Sequence, residues 1–112
     1  MKFFIYIDYI GTIYYYVDSK LHRDNGPAIE YSHGEKHWYK NGKRHREDGP
    51  ASEYANGIKH WYKNGKLHRE DGPARECDNL FKAWYLNDRC YGIDNEFTNK
   101  SWKTFVKTLI FS

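Results

Sequence analysis

The chain has 112 residues, a length typical of a single domain, and a formal net charge of +3 that permits nucleic-acid binding without indicating it. Aromatic residues make up 19% of the chain, which is the content of a folded protein, but few aliphatic residues are present for a thick core. No stretch of 18 apolar residues occurs, so no membrane-spanning helix is predicted.

The N-terminal segment, residues 3–10, is strongly apolar and is interrupted only by Asp8. It lacks a small-residue cleavage site, so a secretory signal is not predicted. An apolar strand of this kind at the edge of a sheet can pair with another chain, and a homodimer through edge strands is one of the expected partners.

One seven-residue sequence recurs every 23 residues: positions 22–28 read HRDNGPA, and positions 45–51 and 68–74 both read HREDGPA. A second block, HWYKNGK, occupies residues 37–43 and 60–66. Weaker copies begin at Tyr15 and Trp84. A fixed period of this length predicts a repeat array of about four rungs, and such arrays usually act as binding surfaces.

The turn residues predict how each repeat folds. Asn-Gly pairs at 41–42, 56–57 and 64–65 favour two-residue type I′ hairpins. Proline has no N–H for a ladder, so Asp-Gly-Pro predicts a connection between strands. In the second repeat we expect strands over 51–55, 58–63 and 66–69. The fold class predicted is mainly β: a single-layer antiparallel meander with one C-terminal helix.

Two-residue loops also predict the register, because they fix which residues lie opposite one another. They place Glu53 opposite His60 and Trp61 opposite His68. One predicted face carries Ala51, Glu53, Ala55, Ile58, His60, Tyr62, Leu67 and Arg69, and the other carries Tyr54, Lys59, Trp61, Lys63, Lys66 and His68. Cys77 is expected beside Trp84 and Cys90 beside Tyr85, on opposite faces.

Because the two cysteines are expected on opposite faces, they cannot meet the geometry of a disulfide. We expect free thiols and a cytoplasmic protein.

The C-terminal segment changes period. Its apolar residues follow the i, i+3, i+4, i+7 spacing of an amphipathic helix, predicted from about Asn99 to Phe111, and they are Trp102, Phe105, Val106, Leu109 and Ile110. Thr98 is a suitable N-cap, with Phe97 and Trp102 as a hydrophobic staple. We expect one repeat domain over 1–112, with capping strands at 1–21, repeats at 22–91, and a linker and capping helix at 92–112.

The pattern aromatic-x-Asn-Gly-x-x-x-Trp-Tyr-x-Asn-Gly-Lys, seen from Tyr54 to Lys66, resembles MORN-type repeats, which are hairpin units of similar length. The Asp-Gly-Pro-Ala connection is not part of their common consensus. The chain more closely resembles, over residues 9–91, His-Arg-x-Asp-Gly-Pro-Ala repeat proteins of tailed phages, giant viruses and some bacteria. The resemblance implies a scaffold for protein or lipid contacts, with no fixed substrate and no catalytic residue.

The recurring histidines raise the question of metal binding or catalysis. A metal site needs three or four converging ligands, whereas rows of strand residues spread along a sheet. The predicted cross-strand pairs, Glu30–His37 and Glu53–His60, supply only two ligands each. His-Arg-Glu-Asp lacks the accompanying motifs of a kinase, and no other reaction constellation is visible. We expect no enzyme activity, no metal and no cofactor.

Stacked aromatics interleaved with lysines can bind single-stranded nucleic acid, or can simply hold consecutive rungs together. The sequence therefore leaves two functional readings. The first is a phage or viral accessory protein that binds and inhibits or sequesters a host factor, such as a defence-system component, in the host cytoplasm. The alternative is a nucleic acid or nucleotide binder. The candidate contact residues are Trp38, Trp61 and Trp84 on one side, and Tyr39, Tyr62, Arg46 and Arg69 on the other.

Overall fold

The computed structural model describes residues 1–78 and 80–111, and for residues 110 and 111 it describes the backbone alone. The chain forms a long antiparallel meander, as predicted. Its strands are β1 (Phe3–Ile7), β2 (Ile13–Val17), β3 (Lys20–Leu21), β4 (Ile29–Glu30), β5 (Lys36–His37), β6 (Tyr39–Lys40), β7 (Lys43–Arg44), β8 (Ser52–Glu53), β9 (Ile58–His60), β10 (Tyr62–Lys63), β11 (Lys66–Leu67), β12 (Arg75–Cys77), β13 (Phe81–Leu86) and β14 (Arg89–Ile93).

The main sheet runs in the order β1-β2-β4-β5-β8-β9-β12-β13-β14, with β3 paired to β2. The remaining strands form two small hairpin sheets, β6–β7 and β10–β11. The predicted long strand 58–63 is thus broken at Trp61, and its second half belongs to a small hairpin. The molecule measures 45 × 31 × 19 Å, and its short third dimension fits a sheet one layer thick. Among the described residues, no helix is both long and apolar enough to cross a membrane.

The small hairpins turn on the Asn-Gly pairs that the sequence marks. Asn41 and Gly42 have φ of 51° and 79°, and Asn64 and Gly65 have φ of 51° and 81°. A type I′ turn requires positive φ at both central residues, and asparagine and glycine are the residues that tolerate it best. The predicted register around the Asn64-Gly65 turn is confirmed, since Lys63 lies opposite Lys66.

The loop at Asn56-Gly57 is wider than predicted. The Tyr54 N–H donates to the Ile58 carbonyl at 2.9 Å, so residues 55–57 form a three-residue turn. Gly57 has a φ of +87°, but Asn56 does not have positive φ. Asn-Gly is compatible both with a type I′ turn and with a type I turn that ends on a left-handed glycine, and the chain adopts the second arrangement.

The wider loop shifts the pairing by one residue, so the predicted register was wrong here. Glu53 lies opposite Lys59, and Ser52 lies opposite His60. A shift of one residue moves a side chain to the other face. Tyr54 therefore shares a face with His60, while Glu53 changes to the opposite face. The equivalent turn of the first repeat shifts in the same way, with the observed pairs Ile29–His37 and Glu30–Lys36.

The corrected register produces a row of alternating charges across the main sheet. Neighbours in this row lie directly opposite one another, and opposite charges in such positions stabilise a sheet by a few tenths of a kcal/mol each. We call the surface that carries it the charge-ladder face. Its residues are Glu30, Lys36, Glu53, Lys59, Glu76 and Lys82.

The cysteines are free, and one of the two predicted neighbours is wrong. Cys90 lies opposite Tyr85, as predicted. Cys77 lies opposite Phe81 and not beside Trp84, because residues 78–80 alone join β12 to β13.

The C-terminal helix α1 spans Asn99–Phe111, as predicted. The Thr98 hydroxyl accepts from the Ser101 N–H at 3.0 Å, and the Phe97 and Trp102 rings meet at 4.9 Å, so the predicted N-cap and staple are both present. Trp102 and Val106 are buried against the last strands, so α1 covers that end of the sheet. The predicted contribution of Ile110 lies outside the described side chains.

At the opposite end of the molecule, β1 is an open edge. It pairs with β2 through all five residues, and all five of its side chains are exposed. Its exposed fractions include 75% for Phe3 and 61% for Ile7. An apolar edge without proline or an internal charge is suited to pairing with a further strand.

Candidate functional site

Each of the three HRxDGPA or HRxNGPA connections folds its arginine back onto an aromatic ring of the same repeat. The guanidinium also donates to the carbonyl of the proline four residues later, at 3.2, 3.1 and 3.1 Å in the three repeats. Each arginine is thus held between a ring and a turn. The guanidinium-to-centroid distances are 3.9 Å for Arg23 on Tyr15, 3.8 Å for Arg46 on Trp38 and 3.9 Å for Arg69 on Trp61.

The glycine of each connection permits this stacking. A Cβ at Gly72 would lie 2.6 Å from Cζ of Arg69, closer than two carbon atoms can approach. The following alanines, Ala28, Ala51 and Ala74, are fully buried beneath the strands. The glycine and alanine of the Gly-Pro-Ala sequence therefore allow the close packing around the arginine stack.

The connection histidines join each repeat to the next. Nδ1 of His45 accepts from the Asn64 N–H at 2.9 Å, and Nε2 faces Glu47 at 2.6 Å. The hydrogen bond from His45, with Lys63 as the second cause, lowers the pKa of Glu47 below its usual value. His22 and His68 make the same contacts to Asn41 and Asn87. These histidines therefore join consecutive repeats through the turns.

A groove of about 590 Å³ lies between the first two connections. Trp38, Lys40 and Arg46 line it, and so do the acidic residues Asp24 and Glu47. Charges of both signs therefore balance locally, and the guanidinium covers one face of the Trp38 ring. A base cannot stack on a ring face that an arginine already occupies.

A different surface carries more positive than negative charge, with Arg44 and Arg75 against the Glu35 carboxylate beside His37. We call it the tyrosine–arginine face, on the side of the sheet opposite the charge ladder. It consists of Tyr31, Tyr39, Arg44, Tyr54, His60, Tyr62 and Arg75, all half-buried. The Arg44 guanidinium lies between the Tyr39 and Tyr62 rings, at 5.7 and 5.6 Å. The rings of His60 and Tyr54 meet edge-on at 5.2 Å.

Three nitrogen atoms on this face have no hydrogen-bond partner within the described residues, although they are shielded from water. They are Nε of Arg44, Nε of Arg75 and Nδ1 of His60. Burial first, and then the charges of Arg75 and Arg44, lower the pKa of His60 from 6.5 to about 4. His60 is therefore neutral at pH 7, while both guanidiniums are charged.

The structure divides the seven predicted contact residues into three groups. Tyr39 and Tyr62 lie on the tyrosine–arginine face. Arg46 and Arg69 were predicted on the same side as these tyrosines, but they stack on the tryptophans of the other side, namely Trp38 and Trp61. The prediction extended the strand alternation beyond residue 68, where the chain has already left the sheet.

The seventh residue, Trp84, is 1% exposed and cannot contact a partner in this structure, which corrects its prediction as a surface residue. Gly92 stands 23 residues after Arg69, so the last rung has no arginine to stack. Phe97 and Trp102 take its place, each with its ring 5.6 Å from that of Trp84. These two aromatic rings thus pack on Trp84, where the other rungs have a guanidinium on the ring.

Sequence reasoning missed Arg44, His60 and Arg75 as a group. The signal lay in departures from the repeat. Arg44 stands where the neighbouring rungs have Leu21 and Leu67, and Arg75 stands 23 residues after Ser52. A position where one repeat replaces an apolar or small residue with a charged one is a stronger functional signal than a residue that every repeat shares.

Within the described residues, no group of three or more histidine, cysteine, aspartate or glutamate side chains is placed to hold a metal ion. Comparison of the chain with family models, with curated proteins and with solved structures finds no match.

Proposed function

We propose that this chain is a non-enzymatic binding module whose partner is a protein, and that the tyrosine–arginine face is its contact surface. One observation carries the proposal. Arg44 and Arg75 depart from the repeat, and each places on a half-buried aromatic face a charged group whose Nε has no hydrogen-bond partner among the described residues. Such an Nε costs stability, because it loses water without gaining a partner.

An acidic partner would offset part of this cost by placing negative charge beside the two arginines. Tyrosine and arginine are enriched among residues that dominate protein–protein binding, because they combine a large apolar body with a directional polar group. The tyrosine rings are already held by neighbouring rings and by Arg44, so little side-chain entropy is lost on binding. The face carries two arginines and a neutral histidine, and this favours an acidic partner.

The resemblance to repeat proteins of tailed phages and giant viruses suggests the biological setting. We infer an accessory viral protein that binds a host factor, such as a defence-system component, and inhibits or sequesters it in the host cytoplasm. This part of the proposal rests on the resemblance of the HRxDGPA connections, and the contact surface rests on the geometry of the face.

The nucleic-acid alternative is less well supported. It relies on free aromatic faces, and in this structure an arginine covers one face of each of the Trp38 and Trp61 rings, at 3.8 and 3.9 Å. Nucleic-acid binding also has a distinctive salt dependence, because released counterions drive it. A protein complex held by a desolvated tyrosine–arginine contact weakens less as salt rises.

The test is affinity capture from bacterial and eukaryotic lysates, with and without nuclease, at low and high salt. The proposal predicts a protein that is retained in a saturable way after nuclease treatment. A captured species that disappears with nuclease, or whose affinity falls steeply with salt, supports the nucleic-acid alternative and contradicts the proposal.

Self-association through β1 is a second proposal, carried by the exposure of all its side chains. Antiparallel pairing of two copies centred on Ile5 places Ile5 opposite Ile5 and Phe4 opposite Tyr6 of the other copy. In the same register, Lys2 of each copy lies opposite Asp8 of the other, so charges of opposite sign meet at both ends. This pairing would join two main sheets edge to edge.

A further inference from the structure

Two successive repeats place a histidine at the same position of the sheet, and the first of these histidines has all its partners. His37 is 4% exposed. Its Nδ1 is 2.8 Å from Oγ of Ser52, and its Nε2 is 3.4 Å from a carboxylate oxygen of Glu35. A hydroxyl and a carboxylate therefore satisfy both ring nitrogens within the fold.

The second histidine, His60, has lost both kinds of partner. The residue 23 positions after Ser52 is Arg75, which lies directly opposite His60 in β12. The residue 23 positions after Glu35 is Ile58. Nδ1 of His60 and Nε of Arg75 both lack a hydrogen-bond partner among the described residues. Compared with the first site, this one has gained a cation and lost an anion.

A pocket opens at this second site. Its volume is about 290 Å³, which suits a small group better than a drug-sized ligand. Its walls combine apolar side chains with the two basic groups. They are Tyr54, Asn56, Ile58, His60, Arg75, Cys77 and Phe81. The Arg75 guanidinium lies 5.5 Å from the Phe81 ring, so one wall is aromatic and the adjoining one is cationic.

We propose that this pocket binds a carboxylate, and that in the complex with a protein partner the carboxylate is an acidic side chain of that partner. The proposal rests on the proposed function. The ligand would lie between Arg75 and His60. Arg75 would donate to it from the position that Ser52 holds in the first site, and Nδ1 of His60 corresponds to the ring nitrogen that faces Ser52 there. A planar guanidinium matches a carboxylate through two parallel N–H bonds.

The charges around the pocket set its response to pH. His60 faces Arg75 from β12, Arg44 from β7, His37 from β5, and the rings of Tyr54 and Tyr62. Asp78 lies at the loop end, beside Gly57, and is exposed. A bound carboxylate would oppose the two arginine charges and favour the protonated imidazole. Binding therefore raises the titration midpoint of His60.

The test uses the intact labelled protein and sodium propionate, which has the structure of a glutamate side chain. Nuclear magnetic resonance signals of the His60 ring and of Arg75 are followed during the titration, with sodium chloride at equal ionic strength as the control. We expect saturable shifts at these two residues, an upward shift of the His60 titration midpoint, and no change at His37. Shifts that do not saturate, that chloride reproduces, or that affect His37 equally would overturn the proposal.

Two variants taken from the repeat itself sharpen the test. Ile58→Glu restores the tethered carboxylate of the first site, and Arg75→Ser restores its hydroxyl. Both replacements exist at the equivalent positions of this fold, so both variants are expected to fold. Each should weaken propionate binding at least tenfold, and Ile58→Glu should raise the His60 midpoint without any ligand. Unchanged propionate affinity in either variant would contradict the assignment of the pocket.

The same variants separate this inference from the proposed function. If a captured protein partner binds Arg75→Ser and Ile58→Glu as tightly as it binds the wild type, the partner's acidic side chain does not occupy this pocket. The proposal that the chain is a protein-binding module is then retained. If propionate binds as expected but no protein partner is captured, the carboxylate pocket stands and the proposed partner class is wrong.

Discussion

Replacing Trp102 with alanine should remove most of the stability of the C-terminal end of the sheet. Trp102 is 0% exposed, and its Nε1 donates to the Arg69 carbonyl at 2.8 Å. A buried tryptophan removes about 200 Å² from water, worth about 5 kcal/mol at about 25 cal/mol per Å². Measured Trp→Ala changes in cores cost about 3–5 kcal/mol, and we expect about 4 kcal/mol here. Four rings surround it, those of Trp84, Tyr91, Phe97 and Phe105.

Urea unfolding followed by circular dichroism measures this change in the free energy of unfolding. Trp102→Phe is the matched control, because it keeps an aromatic ring and loses the hydrogen bond to Arg69. It should cost about 1–2 kcal/mol. A loss below about 1 kcal/mol for Trp102→Ala, or equal losses for the two variants, would refute the view that this ring holds the helix on the last rung.

Three further outcomes are expected. Because the pKa of His60 is about 4 in the folded protein and 6.5 in the unfolded chain, the unfolded chain binds more protons between these values. Since the ring is only half-buried and solvent screens part of the effect, the free energy of unfolding should fall by about 2 kcal/mol from pH 6.5 to 4. An equal slope in His60→Gln would contradict this. Gly72→Ala places a Cβ 2.6 Å from Arg69 and should lower the free energy of unfolding by about 1–3 kcal/mol. Gly26→Ala places its Cβ 3.1 Å from Arg23 and should lower it less in the same urea assay. The reverse order would exclude the argument that these glycines make room for the stacked arginines. Light scattering should show a dimer for the wild type and a monomer for Ile5→Lys, and a wild-type monomer would exclude pairing through β1.

Local signals with one physical solution were sufficient to predict much of this fold. Residues 97–111 combine an N-cap, a staple and a 3.6-residue period, so the bounds of the helix followed from sequence. Asn64-Gly65 joins two short strands that pair directly across the turn, and this hairpin was also predicted. Both features depend on contacts between residues that are close in the chain.

The errors in the predicted register arose where two backbone conformations of the same turn have nearly equal free energy. Asn56-Gly57 fits both a two-residue and a three-residue turn, and the choice between them depends on the neighbouring strands. That single residue exchanged the faces of Glu53 and Tyr54 relative to His60. The arginine stack was missed for a different reason, since Arg46 returns to Trp38 only after the chain has left the sheet, where strand alternation no longer applies.

The candidate site shows the same limit. The sequence favoured aromatic and basic residues, and two of them, Tyr39 and Tyr62, lie on the proposed face. It ranked residues by recurrence, however, and recurrence in this chain marks what holds the rungs together. Arg44 and Arg75, whose Nε atoms have no hydrogen-bond partner among the described residues, occur only once each in the pattern. Their positions become informative only when the register is known.

The most direct test of the proposed function compares two variants that lose one positive charge from opposite faces. Arg44→Leu carries the residue that the neighbouring rungs have at this position, and Lys59→Gln alters the charge-ladder face by the same amount of charge. Binding of a captured protein partner is measured for both, after circular dichroism confirms that they fold. We predict that Arg44→Leu weakens binding at least tenfold, as for a central interface residue, and that Lys59→Gln leaves it unchanged. Equal losses in the two variants, or a loss confined to Lys59→Gln, would contradict the assignment of the tyrosine–arginine face.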